Sequence, residues 1–171
     1  MSGFIQIYTG AGKGKTTAAL GLALRAAGAG MRVFIAQFLK GRPYSEHTSL
    51  ARLAPEIEIR QFGLPAFVMG KPSPEDLAAA EEGVRAVREA FASGRYGLVI
   101  LDEINLLPSL GILPLETILS LMDEKPADVE LVLTGRGADV RLIERADLVT
   151  EMLPLKHYYE KGVPARAGIE K

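Results

Sequence analysis

Residues 9–17 read Thr-Gly-Ala-Gly-Lys-Gly-Lys-Thr-Thr, a combination whose types and spacing suit the binding of a polyphosphate. Closely spaced glycines let several backbone N–H groups converge on one anion. A helix N-terminus, a lysine and a metal-binding hydroxyl then add positive charge. Gly14, Lys15 and Thr16 form the Gly-Lys-Ser/Thr core; Gly10, Ala11, Gly12 and Lys13 lead into it, and Thr17 follows. The strict pattern starts with a glycine where this chain has Thr9, so the loop is a variant whose turn is supplied by Gly10 and Gly12. ATP or GTP is the implied ligand, with Lys15 as the principal charge. A glycine-rich turn that binds nothing is the bland alternative. The apolar run Phe4–Tyr8 before it and the helix-forming run Ala18–Ala27 after it argue against that reading.

A second constellation lies at residues 98–103, Leu-Val-Ile-Leu-Asp-Glu, where an apolar run ends in two carboxylates. On a buried strand this places Asp102 and Glu103 at its carboxyl end, in the manner of a Walker B motif. An aspartate there holds magnesium or manganese, directly or through water, and Thr16 supplies a hydroxyl ligand. The alternative is an acidic pair facing solvent, and the choice between Asp102 and Glu103 as direct ligand stays open. Glu103 could instead polarise a water for ATP hydrolysis. Thr134-Gly135-Arg136 closes a third apolar run, where Arg136 either reaches substrate anions or remains a surface charge. Lys13 either adds to the polyphosphate site or points to water.

These groups need a scaffold that brings them together. Apolar, β-rich runs recur at Phe4–Tyr8, Arg32–Phe38, Ile57–Gln61, Leu98–Leu101, Val129–Leu133 and Leu148–Met152. Most are continuous rather than alternating, as expected of strands buried on both faces. Helical stretches at 16–28, 74–93, 114–123 and 138–146 provide crossovers. The expected fold is α/β: a single-domain, three-layer sandwich of the phosphate-loop type with a mostly parallel central sheet. Ser73 and Pro74 mark one helix start, and Gly94 its end. Residues 39–55 and 62–72 lack a regular pattern and read as ligand-shaping loops. A polar, aromatic tail, residues 154–171, is expected to pack on the domain.

Composition narrows the partners. With 20 basic and 21 acidic residues the net charge is −1, so no overall field draws the chain to nucleic acid or to an anionic membrane. Cysteine is absent and there are only two histidines, which excludes disulfides and thiolate sites and favours a hard metal. The opening residues carry neither a charged leader nor a long apolar stretch, so the cytoplasm is the expected compartment. The tail mixes Lys156, His157, Tyr158, Tyr159, Lys161 and Arg166, a pattern that suits a nucleobase or an anion. Packing of its two tyrosines on the domain is the competing reading.

Taken in order, TGAGKGKTT at 9, QFLKG at 37, LVILDEI at 98, LTGR at 133, ADLVTEM at 146 and KHYYEKGVPARAGIE at 156 closely resemble the phosphate-loop ATP:corrinoid adenosyltransferases. The resemblance implies transfer of the adenosyl group of ATP to the cobalt of a reduced corrinoid, with release of triphosphate. It also implies a nucleotide reversed relative to ordinary phosphate-loop enzymes, so that its 5′ carbon faces the corrinoid. Glu103 and Arg136 would line that side. An aromatic residue in the loop aligned with residues 63–68 would face the ring and keep axial ligands off cobalt; Phe67 is the first candidate and Phe62 the second. Relatives that place a tryptophan near this phenylalanine differ from this chain, which has none. A homodimer and a reduced flavoprotein as electron donor are further implications. Two other readings use the same loop: a small-molecule kinase or ATPase releasing ADP, and a nucleotide-gated binding module without turnover.

Overall fold

The computed structural model describes residues 2–66, 68 and 70–171. Six strands, β1 (Ile5–Thr9), β2 (Val33–Phe38), β3 (Ile57–Phe62), β4 (Leu98–Asp102), β5 (Glu130–Thr134) and β6 (Leu148–Glu151), form one sheet in the order β3-β2-β4-β5-β1-β6. Every pairing is parallel, so the mostly parallel sheet expected from the pattern is wholly parallel. The consequence for function is geometric: all six carboxyl ends, and every motif that follows a strand, emerge along one edge.

The helices are α1 (Lys15–Gly28), α2 (Ser45–Leu50), α3 (Pro74–Ala92), α4 (Leu115–Glu124) and α5 (Val140–Arg145). They make the outer two layers. On one face α1 lays Ala19, Ala23 and Ala26 against Val33, Ile35, Leu98, Ile100 and Val132. Alanines at that spacing form a narrow stripe that lets the helix approach the sheet closely. The other face packs Phe34, Phe38, Val99, Leu101, Leu131 and Leu133 under α3, α4 and α5. Ser73 caps α3, its Oγ accepting from the Asp76 N–H at 3.1 Å while Asp76 returns a bond to the Ser73 N–H at 2.9 Å.

Three expectations change. Residues 39–55, read as irregular, contain the short helix α2 and a 3-10 turn at Ala51–Leu53. The run at 148–152, expected as a strand, is one, but it lies at the sheet edge as β6 and is exposed along its length, with Leu148 45% and Val149 39% exposed. Phe62 is a core residue, 7% exposed with its ring 6.0 Å from that of Phe38, and is not free to face a ligand.

Candidate active site

Strand periodicity builds the polar centre. Side chains of one strand alternate between faces, so Leu98, Ile100 and Asp102 share the α1 side, as do Val33, Ile35 and Gln37, and Val132 and Thr134. Each column is apolar until its last member. Register then aligns these last members: Gln37 pairs with Asp102, and Leu101 with Leu133 one residue before Thr134. Three polar side chains, at most 1% exposed, therefore meet at the carboxyl edge beneath the first turn of α1.

Asp102 is the hub. Its Oδ1 accepts from Thr134 Oγ1 at 2.7 Å and from Thr16 Oγ1 at 2.9 Å. Its Oδ2 accepts from Lys40 Nζ at 2.8 Å and Gln37 Nε2 at 3.1 Å. Thr134 Oγ1 also accepts the Glu103 N–H at 3.0 Å, which holds the turn leaving β4. Glu103 sits there at φ 65°, an uncommon backbone for a non-glycine residue. Burial pushes its carboxyl above the usual range, and the neighbouring Asp102 charge adds to this against Lys40, Lys15 and Arg136.

The phosphate loop wraps the end of β1. Gly10 and Gly12 lie against the Met152 backbone so closely that a Cβ would stand 2.5 and 2.7 Å from its carbonyl oxygen, which is why glycine occupies both positions. The Gly12 N–H donates to that oxygen at 2.7 Å, so this amide is committed to the chain after β6 and does not join an anion cradle in this conformation. Gly14, at φ 120°, turns the chain into α1, whose first bond runs from Ala18 N–H to Gly14 O at 2.7 Å. The N–H groups of Lys15, Thr16 and Thr17 precede that bond and have no intrahelical acceptor, and the helix dipole adds to their charge. Lys15 is 7% exposed and folds its ammonium over the loop, donating to Gly10 O at 2.7 Å and Gly12 O at 2.8 Å. Burial lowers its pKa, with Glu103 opposing that shift. Phosphate oxygens would replace those carbonyls.

Lys13, exposed in the loop, neither points free to water nor reaches inward: its Nζ donates to Ile169 O at 3.0 Å. The tail is further tied to α2, where Ser45 Oγ donates to Lys171 O at 2.9 Å and accepts the Gly168 N–H at 3.2 Å. Within the tail, Tyr158 and Arg166 hydrogen-bond Glu170 and hold its carboxyl down at about 2. Tyr159 is 77% exposed and does not pack on the domain. Arg136 is exposed, and its charge is felt at both Lys15 and Glu103. Phe67 lies outside the described residues.

The chemistry of this donor set suits a divalent ion held largely by its ligand. Among the described residues no three His, Asp or Glu side chains gather at one point. Asp102 and Thr16 nevertheless stand side by side, and the buried Gln37 Oε1 has no hydrogen-bond partner. Magnesium typically takes one or two protein oxygens and completes its octahedron with phosphates and water. Gln37, Lys40 and Thr134 were missed as site residues in the sequence, although the parity of each apolar column marks Gln37 and Thr134 once the strands are aligned.

A parallel sheet ending in a phosphate loop, with a strand-terminal aspartate beside the loop threonine, defines a phosphate-loop nucleotide-binding protein. Solved structures agree on the fold: a KaiC-like protein of Pyrococcus horikoshii superposes with a TM-score of 0.57 over 88% of this chain and 73% of its own, at 18% identity. The RadB recombinase does so at 0.56 over 91% and 77%, at 14% identity. The model of one family, "ATP:corrinoid adenosyltransferase BtuR/CobO/CobP", matches residues 1–170, and the chain belongs to that family. It is 36% identical to the corrinoid adenosyltransferase of Escherichia coli over 98% of this chain and 85% of the relative. The Pseudomonas aeruginosa enzyme of the same name gives 36% over 98% and 83%, and that of Salmonella typhimurium 34% over 98% and 85%. The chain is accordingly a transferase acting on a corrinoid with ATP.

Proposed function

We propose that this chain transfers the 5′-deoxyadenosyl group of ATP to Co(I) of cobalamin or a precursor corrinoid, with inorganic triphosphate as leaving group. One observation carries the reading: a family match spanning residues 1–170 coincides with a loop that converges Lys15, the α1 N-terminus and the Asp102–Thr16 pair on one point. The cobalt electron pair forms the bond to the ribose 5′ carbon as the C5′–O bond breaks, and the departing pair rests on the triphosphate oxygen. Negative charge thus grows on the leaving group. Lys15 and the amides of the α1 N-terminus are preorganised to meet it there, where stabilisation specific to the transition state raises the rate.

Magnesium, or manganese, would add Lewis-acid neutralisation of the triphosphate, and Asp102 and Thr16 are the residues to hold it, with Glu103 close by. We assign Glu103 and Arg136 to the corrinoid side of the nucleotide. Phe67 takes the lower face of the ring, where an apolar group excludes axial water. The chain acts as one domain with residues 154–171 laid over it, a view supported by the contacts of Lys13 and Ser45 with the tail. It acts in the cytoplasm as a homodimer and receives electrons from a reduced flavoprotein. The exposed Leu148 and Val149 of β6, and Leu153 just after it, support assigning that surface to a second copy. Among the described residues no helix is long and apolar enough to cross a membrane, and the near-neutral charge offers nothing to nucleic acid.

The test is an anaerobic incubation with magnesium, ATP and chemically reduced cobalamin, quantifying triphosphate, ADP and the light-sensitive alkylated corrinoid together. Triphosphate formed in step with alkylated corrinoid is the expected result. ADP with unchanged corrinoid would replace the proposal with phosphoryl transfer.

A further inference from the structure

Asp102 is coordinatively full. A carboxylate offers about four lone-pair directions, and all are taken, by Thr16 and Thr134 on Oδ1 and by Gln37 and Lys40 on Oδ2. A divalent ion cannot bind this carboxylate directly until one donor leaves. Gln37 and Thr134 are fully buried on central strands, and Thr16 lies in the first turn of α1. Lys40 alone sits on a loop and carries a charge, and an ammonium and a divalent cation sharing one oxygen repel strongly in a site shielded from water.

The backbone around Lys40 is built to aim it. Leu39 adopts φ 59°, a left-handed conformation that costs a branched residue energy and survives only where its surroundings impose it. The Leu39 N–H donates to Phe62 O at 3.1 Å, carrying the β2–β3 pairing past the strand ends. Gly63 then lies so close that a Cβ would be 2.6 Å from the Lys40 nitrogen, and one on Gly41 would be 2.3 Å from the Leu64 carbonyl carbon. The two loops are packed backbone to backbone. Beyond Asp102, the ammonium has Glu46 Oε1 at 3.7 Å and the Tyr44 ring centroid at 5.4 Å. Those two groups form an alternative berth on the α2 side.

We propose that Lys40 is a resident counter-cation of Asp102, occupying the metal's place before nucleotide loads, and that metal binding displaces it toward Glu46 and Tyr44. Lys40 is thereby a positioning residue. It keeps the buried carboxylate neutralised and oriented, and its release couples metal loading to the paired loops at 39–41 and 63–64, the second of which leads toward Phe67. This rests on the assignment of Asp102 as metal ligand.

The experiment is a Mn2+ titration of the protein saturated with ATP, with free Mn2+ read by electron paramagnetic resonance against an ATP-only blank, on wild type, Lys40→Met, Lys40→Arg and the double variant Lys40→Met/Asp102→Asn. Removing the competing cation should tighten Mn2+ binding at least about tenfold in Lys40→Met. Lys40→Arg should stay at the wild-type affinity, and Asp102→Asn should erase the gain. An unchanged or weaker affinity in Lys40→Met overturns the proposal, because a lysine that merely props the carboxylate would lower metal affinity when lost. If Lys40→Met shows no cooperative thermal transition, acylation of the unaltered chain decides. Lys40 should grow more reactive as Mn2+ saturates the protein, and constant reactivity overturns the proposal. Asp102→Asn titrated with Mn2+ and ATP together isolates the underlying assignment: wild-type binding there removes Asp102 as metal ligand, whatever Lys40 does.

Discussion

Thr134→Val tests whether the strand-terminal hydroxyl organises the site. The exchange keeps the shape and removes one oxygen that is fully buried, donates to Asp102 at 2.7 Å and accepts from the Glu103 N–H at 3.0 Å. A hydrogen bond to a charged group contributes about 2 kcal/mol, and stranding a partly buried N–H costs about 1.5 kcal/mol. The new methyl recovers about 0.8 kcal/mol of apolar burial. The expected net loss is about 3 kcal/mol, which for a chain of this size lowers Tm by about 6–12 °C. Thermal and urea unfolding monitored by circular dichroism would measure it, with Thr134→Ser as the control that keeps the oxygen. The site should suffer as well. With Asp102 less restrained and the Glu103 turn released, the metal concentration needed for half-maximal activity should rise in Thr134→Val but not in Thr134→Ser. A Thr134→Val protein within about 0.5 kcal/mol of wild type, with unchanged metal dependence, would refute the view that this hydroxyl ties β5 to the Asp102–Glu103 turn.

Other substitutions probe separate steps of the argument. Lys15→Ala should lower kcat by about a hundredfold or more, the scale of losing one preorganised charge at a developing anion, while its fold by circular dichroism stays intact. Phe67→Ala should slow reaction from Co(II) with a reductant more than reaction of supplied Co(I); equal losses in paired assays would remove it from axial-ligand control. Because burial raises the Glu103 carboxyl above its unfolded value of 4.5, the fold is penalised increasingly as pH climbs from that value through the folded one. Glu103→Gln should therefore gain stability at pH 7, a gain that vanishes below pH 4.5 in a Tm-against-pH series. Gly83→Ala sets about 1 kcal/mol of helix propensity against a Cβ placed 2.5 Å from the Phe38 ring. Overpacking of about 1–3 kcal/mol should win, and denaturant unfolding should report net destabilisation.

The fold and the loop were legible because each depends on local pattern. Apolar columns ending at Gln37, Asp102 and Thr134 announce buried strands, and Gly14-Lys15-Thr16 between strand and helix announces an anion site. The edge position of β6 was not legible, because apolarity alone does not tell a strand with two neighbours from one with a single neighbour. Helix α2 escaped because it is six residues long and is capped by Tyr44. There the His47 ring accepts the Tyr44 N–H at 2.9 Å, an arrangement outside the usual Ser, Thr, Asp and Asn caps.

What stayed hidden was relational. Lys40 and Asp102 are 62 positions apart and Thr134 a further 32, and only the parallel register makes them neighbours. Leu39 and Glu103 hold left-handed backbones that their side chains do not advertise, and each immediately flanks the carboxylate cluster by sequence or by contact. Such strain persists where neighbours over-determine it, and here the restraints are the Phe62 carbonyl on one side and the Thr134 hydroxyl on the other. The same two restraints aim Lys40 at Asp102 and turn Glu103 toward the ligand edge. Loop lysine and strand carboxylate are therefore not independent motifs. Relaxing either strained residue should disturb both, and a double-mutant cycle between Gly63→Ala and Thr134→Val should show coupling well beyond the 0.3–0.5 kcal/mol scatter of independent sites.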